Sequence, residues 1–136
     1  MKNGVIISKL QSLDQAVQAL RSLGTVTADQ LRGDWKTRRA IERELQIAVE
    51  IVIDVCQRFL SLAGQSPAAT GADAVSRCVQ LGSLSSVEPY RKMVQFRNFI
   101  VHHYEEIDVE ILVDIVNRRL TDFEKFRTEV LRYVQR

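Results

Sequence analysis

Apolar residues recur along this chain at three- and four-residue steps, the spacing that builds one buried face of an α-helix. Ile6, Leu10, Leu13, Val17 and Leu20 form the first such stripe, and Gly24 follows as a stop signal. The pattern predicts a helix over residues 4–23. A longer stripe runs through Ile41, Leu45, Ala48, Val49, Val52, Cys56 and Phe59, thickened by Ile47, Ile51, Val55 and Leu62. It predicts a helix from near Asp34 to Gly64, and Thr27 with Gln30 could cap an earlier turn.

Gly64 to Gly71, with Pro67 inside, reads as a connector. A short helix is expected from Ala72 to Leu81, stopped by Gly82. Ser85-Ser86-Val87-Glu88 has the form of a capping box, with Pro89 tolerated in a first turn, so the next helix is expected from Ser86 to His103. Asp108 is placed to cap a last helix whose buried face is Leu112, Ile115, Val116, Leu120, Phe123, Phe126, Val130 and Val134. No alternation of period two persists. The expectation is an all-α antiparallel bundle of about five helices, one domain over residues 1–136.

Composition narrows this further. A chain of 136 residues fits one domain, and two prolines with six glycines supply too little turn chemistry for a sandwich or barrel. Hydrophobic residues at 46% and charged ones at 26% match an ordinary folded protein and not a disordered one. Nineteen basic against seventeen acidic residues leave +2, too mild a charge to argue nucleic-acid binding alone. Cys56 and Cys78 stand apart with no histidine near, so neither a zinc site nor a disulfide framework is indicated, and two lone thiols suit a reducing cytoplasm. Neither a signal peptide nor a membrane span is legible.

Three constellations bear on chemistry. Gln46, Glu50 and Asp54 fall at i, i+4 and i+8, one polar track on an otherwise apolar helix. Paired carboxylates in a bundle suggest a metal, yet di-iron bundles take Glu-x-x-His motifs, which neither His102 nor His103 completes. The seam is therefore expected to be solvated or paired with an arginine of another helix, and no metal site is expected. Lys36-Thr-Arg-Arg39 and the run from Arg118 to Arg136 read first as solvated faces, interleaved with acids such as Glu124 and Glu129, and second as phosphate contacts.

The third is Arg97-Asn98-Phe99-Ile100-Val101-His102-His103-Tyr104, which holds both histidines of the chain. On a continuing helix Arg97 and Tyr104 share a face, and Asn98 and His102 a neighbouring one. Arginine offers a fork of donors matched to phosphate, and an imidazole exchanges protons near neutral pH. Together they suffice for RNA cleavage by attack of its own 2′-hydroxyl, without metal or cofactor. By spacing alone, a surface histidine beside an Arg–carboxylate pair at a helix end is the favoured reading.

Arg97, four residues, His102, one residue, Tyr104 resembles the Arg-x4-His-x-Tyr signature of HepT-like toxins in the HEPN (higher eukaryotes and prokaryotes nucleotide-binding) superfamily. The block from Phe96 to Asp108 is similar to that family's motif region, as are Glu42 to Gln46, Glu50, Asp54, the chain length and the helical layout. The resemblance implies a ribonuclease toxin encoded with a minimal nucleotidyltransferase antitoxin. It makes Arg97 and His102 catalytic and Tyr104 the acceptor of AMP groups that silence the enzyme. Asn98 takes a supporting part, and His103 inherits none. Since each chain brings one motif histidine, and cleavage needs both a base and an acid, a homodimer is expected. The competing reading is a non-catalytic helical module that partners the nucleotidyltransferase.

Overall fold

The computed structural model describes residues 4–102 and 107–135, and every described element is helical. The elements are α1 (Gly4–Arg21), α2 (Ala28–Arg32), α3 (Trp35–Leu62), α4 (Gly71–Leu81), α5 (Tyr90–His102), α6 (Val109–Asp114), a π-helical turn (Ile115–Arg119) and α7 (Thr121–Val134). With α2 a single turn and α6 to α7 one interrupted helix, five principal helices remain. The all-α bundle expected from periodicity is the observed fold.

The long helix α3 is central, packing against α1, α4 and α5, with α2 and α6 also on its flanks. Its predicted stripe is buried from Ile41 to Phe59, and the first-helix stripe from Ile6 to Leu20 is buried against it. Each such aliphatic side chain contributes about 1.5–3 kcal/mol on burial. Among the described residues, no helix is long and apolar enough to cross a membrane.

The caps follow local sequence. Thr27 and Gln30 form a reciprocal capping box that starts α2. Asp34 accepts from the Thr37 N–H at 3.1 Å and opens α3, its carboxyl held below the usual range chiefly by the Thr37 hydroxyl. Asp108 caps α6 through the Glu110 N–H at 2.9 Å. Gly82, at φ +92°, ends α4 in the left-handed region that a side chain resists.

Three expectations are corrected. Helix α5 begins at Tyr90, not Ser86, because proline drives its preceding residue, Glu88, out of the α region. The last helix is broken by the π-helical turn, which leaves Ile115 only half-buried. That turn places Asn117 to clamp the connector after α1: its Oδ1 accepts from the Val26 N–H at 3.0 Å and its Nδ2 donates to the Val26 carbonyl at 2.9 Å. Glu129, expected on a solvated face, is buried. It accepts from the Ser85 N–H at 2.8 Å and from the Tyr90 hydroxyl, which answers the cost of burying a charge. Burial pushes its pKa up, but these hydrogen bonds outweigh it and leave the carboxyl below its ordinary value. Burial and the Glu129 carboxylate together push the Tyr90 phenol well up.

Candidate functional site

The motif lies on the C-terminal half of α5, where the helix leaves the core. Tyr90 and Val94 are buried, residues 96–100 are half-buried, and Val101 and His102 are exposed. Helix α4 comes close to this stretch because Gly71 has no side chain. A Cβ there would meet Ile53 Cδ1 at 2.9 Å and Val94 Cγ1 at 3.0 Å.

Arg97 bridges two elements. Its Nη1 donates to Asn98 Oδ1 at 3.0 Å, and its Nε lies 3.9 Å from Glu50 Oε1 on α3. Gln46, one turn earlier on α3, donates to the same Glu50 oxygen at 2.7 Å. The guanidinium side chain is 28% exposed, and its Nε has no hydrogen-bond partner. A fixed charge is thus aimed by a carboxylate and an amide, with the buried Nε turned to Glu50 and Nη2 left for an incoming anion.

His102 ends α5, five residues beyond Arg97, with its side chain open to solvent. The structure therefore brings Arg97 and Asn98 into direct contact and leaves His102 on the same helix end, exposed. Tyr104 and His103, and with them the face Tyr104 was expected to share with Arg97, lie outside the described residues.

The polar seam resolves into two pairs. Glu50 faces Arg97, and Asp54 accepts from Lys9 Nζ at 3.2 Å. The expected pairing with an arginine of another helix holds for Glu50, Asp54 pairs with a lysine, and both acids stay partly solvated. Glu50 is the residue sequence reasoning left without a role. Its signal was an acid within a buried apolar run, but which arginine would meet it depends on how α5 crosses α3. Among the described residues no group of three potential ligands could hold a metal. The main cleft, about 380 Å³ between α3, α5 and the π-helical turn, is lined by Leu45, Met93, Phe96 and Phe123 and touches neither Arg97 nor His102.

The model of a family described as ribonuclease HepT-like matches residues 13–130. The chain belongs to that family. The mRNA nuclease HepT of Shewanella oneidensis is 24% identical to this HepT-like chain over 126 residues, 91% of this chain and 94% of that protein. A solved structure of a tri-AMPylated Shewanella oneidensis HEPN toxin in complex with MNT antitoxin superposes with a TM-score of 0.86 at 23% identity, covering 96% of this chain and 98% of that one. A toxin–antitoxin structure with AMP-PNP gives 0.85 at 22% identity, over 96% and 99% of the two chains. At such identities the structures show a shared fold.

Proposed function

We propose that this chain is a metal-independent endoribonuclease, the toxin of a pair whose antitoxin is a small nucleotidyltransferase. The observation that carries the reading is the α3–α5 junction: a half-buried guanidinium aimed by Glu50 and Asn98, on the same helix end as an exposed His102, in a ribonuclease family. Arg97 binds the non-bridging oxygens of an RNA phosphate. The adjacent 2′-oxygen attacks phosphorus, the bond to O5′ breaks, and a 2′,3′-cyclic phosphate and a 5′-hydroxyl result. One histidine takes the 2′-proton and another delivers a proton to O5′. Each chain brings one His102, so the working unit is a homodimer with a composite site, and two arginines neutralise the pentacoordinate phosphate. Asn98 supports by holding Arg97. Glu50 and Asp54 are each drawn to a cation, which fits positioning and not metal binding. The single domain acts in the cytoplasm.

Tyr104 is the control point. Its phenol attacks the α-phosphorus of ATP on the antitoxin, pyrophosphate leaves, and the new phosphodiester competes with RNA for Arg97. The other tyrosines support this choice. Tyr90 is fully buried with its hydroxyl on Glu129, and Tyr133 packs edge-on against Phe59 with ring centroids 5.0 Å apart. The AMP groups carried by the Shewanella toxin fit the same scheme.

The test is cleavage of RNA by the purified chain in excess EDTA. Products should end in 2′,3′-cyclic phosphate and 5′-hydroxyl, and His102→Ala should lose them. Activity that disappears with the chelator and returns with a divalent ion overturns the mechanism. Incubation with the cognate nucleotidyltransferase and ATP should add AMP-sized mass to wild type and none to Tyr104→Phe.

A further inference from the structure

Trp35, the first residue of α3, is 61% exposed, and Lys36 Nζ lies 5.9 Å from its ring centroid. From there Arg39, Arg43, Gln46 and Glu50 follow at steps of four, four, three and four residues. On an α-helix these positions fall within an arc of about 100°, so they form one line along the helix. The line ends at Glu50, the residue that faces Arg97, about 22 Å along the axis from Trp35.

The cations of this line differ from their neighbours. Arg32 is engaged by Asp29 at 3.1 Å and Glu110 at 3.4 Å, and Arg38 faces Glu42 at 3.9 Å. Among the described residues no carboxylate lies within ion-pair distance of Lys36, Arg39 or Arg43. Lys36 also feels the Asp34 carboxylate that caps the helix, while Arg39 and Arg43 stand outside any ion pair among the described residues. Such a row fits a polyanion, and an exposed indole offers a stacking face to an unpaired base.

We infer that this face of α3 is a track on which single-stranded RNA approaches the Arg97 site. One base stacks on Trp35, and successive phosphates lie on Lys36, Arg39 and Arg43. The inference rests on the ribonuclease reading above and adds how substrate is gripped away from the scissile bond. A duplex fits less well, since its bases are hidden from the indole. The grip is independent of sequence, because every base has a π-face and every nucleotide a phosphate.

The probe is a fluorescein-labelled 12-nucleotide RNA, 2′-O-methylated throughout so that it has no attacking hydroxyl, read by anisotropy across a salt series. Arg39→Ala with Arg43→Ala should flatten the slope of log K against log salt by about 1.4, two single-strand phosphates at about 0.7 each. Trp35→Ala should weaken binding about tenfold, and Trp35→Phe should keep most of it. Removing equal charge on the last helix, Arg118→Ala with Lys125→Ala, should leave the slope in place. All these side chains are exposed, and thermal melts should coincide. Wild-type slope and affinity in the α3 variants, or an equal loss in the control pair, overturns the track. So does loss of nucleotidyltransferase capture with RNA binding intact, which gives the face to a protein. Wild-type protein that cuts RNA with kcat/KM indifferent to these α3 substitutions refutes the track and keeps the ribonuclease reading. Binding through α3 with natural RNA left uncut does the reverse.

Discussion

The two ends of α5 are built to opposite rules. At its start, Tyr90 is fully buried, its hydroxyl donates to Glu129, and Glu129 takes its other hydrogen bond from the Ser85 main chain. Both oxygens of that buried carboxylate have a donor. Two turns later Arg97 sits half-buried with only its Nη1 spent, on Asn98, and a further turn on His102 stands in solvent. Unspent donors do little for stability, but a phosphate needs them. The helix is anchored at one end so that it can be left incomplete at the other.

The sharpest way to break this contrast is to truncate the open end. Arg97→Ala and His102→Ala should each cut RNA cleavage by about 100- to 10,000-fold. The melting temperature of His102→Ala should stay within about 2 °C of wild type, as for exposed sites generally, and half-buried Arg97→Ala should lose less than a core deletion. A melt lowered as far as by a core deletion would show that this end is structural too.

Truncating the anchored end should do the opposite. Glu129→Ala strands the Tyr90 hydroxyl in the core and removes the acceptor of the part-buried Ser85 N–H, a loss of about 2–4 kcal/mol. Denaturant unfolding should report it, while cleavage per folded molecule persists. The same carboxyl makes stability depend on acid. Its folded pKa lies below its unfolded value near 4.5, so its contribution is complete above that pH and disappears as pH falls through the folded value. Melting followed from pH 6 to pH 3 should drop more steeply for wild type than for Glu129→Gln.

A smaller effect should come from the partner on α3. Glu50→Gln keeps the contact from Gln46 but removes the charge facing Arg97. We expect about a tenfold loss in kcat/KM with the melt unchanged, because the Glu50–Arg97 pair is partly exposed and screened. An unchanged kcat/KM would sink its positioning role.

Much of the bundle was legible, for reasons that mark where legibility stops. Helical stripes depend only on period, and the caps at Thr27, Asp34 and Asp108 depend on residues within three positions, so both are written locally. The start of α5 was misplaced because two local signals conflict, a capping pattern at Ser85 to Glu88 and a proline that restricts Glu88. The π-helical turn and the burial of Glu129 carry no local mark. One is tied to Val26, 91 residues from Asn117, and the other to Tyr90, 39 residues from Glu129. For the candidate site, Arg97, Asn98 and His102 are singled out by their grouping on one segment and by the family resemblance, but the facing of Glu50 and Arg97 is a property of how two helices cross.

The clamp of Asn117 on Val26 makes the connector after α1 depend on the chemistry of one side chain. The grip works because a carboxamide is two-sided, giving a hydrogen to the Val26 carbonyl and taking one from the Val26 N–H. Hydrolytic loss of ammonia turns Asn117 into aspartate, which sets an oxygen against an oxygen and a charge against a carbonyl dipole. Gln57 holds Ala68 by the same two-way exchange, with both distances 2.9 Å, and a carboxylate there would meet the same mismatch. Two connectors of this bundle are therefore fastened by single side-chain amides, each of which needs both its oxygen and its nitrogen to hold on.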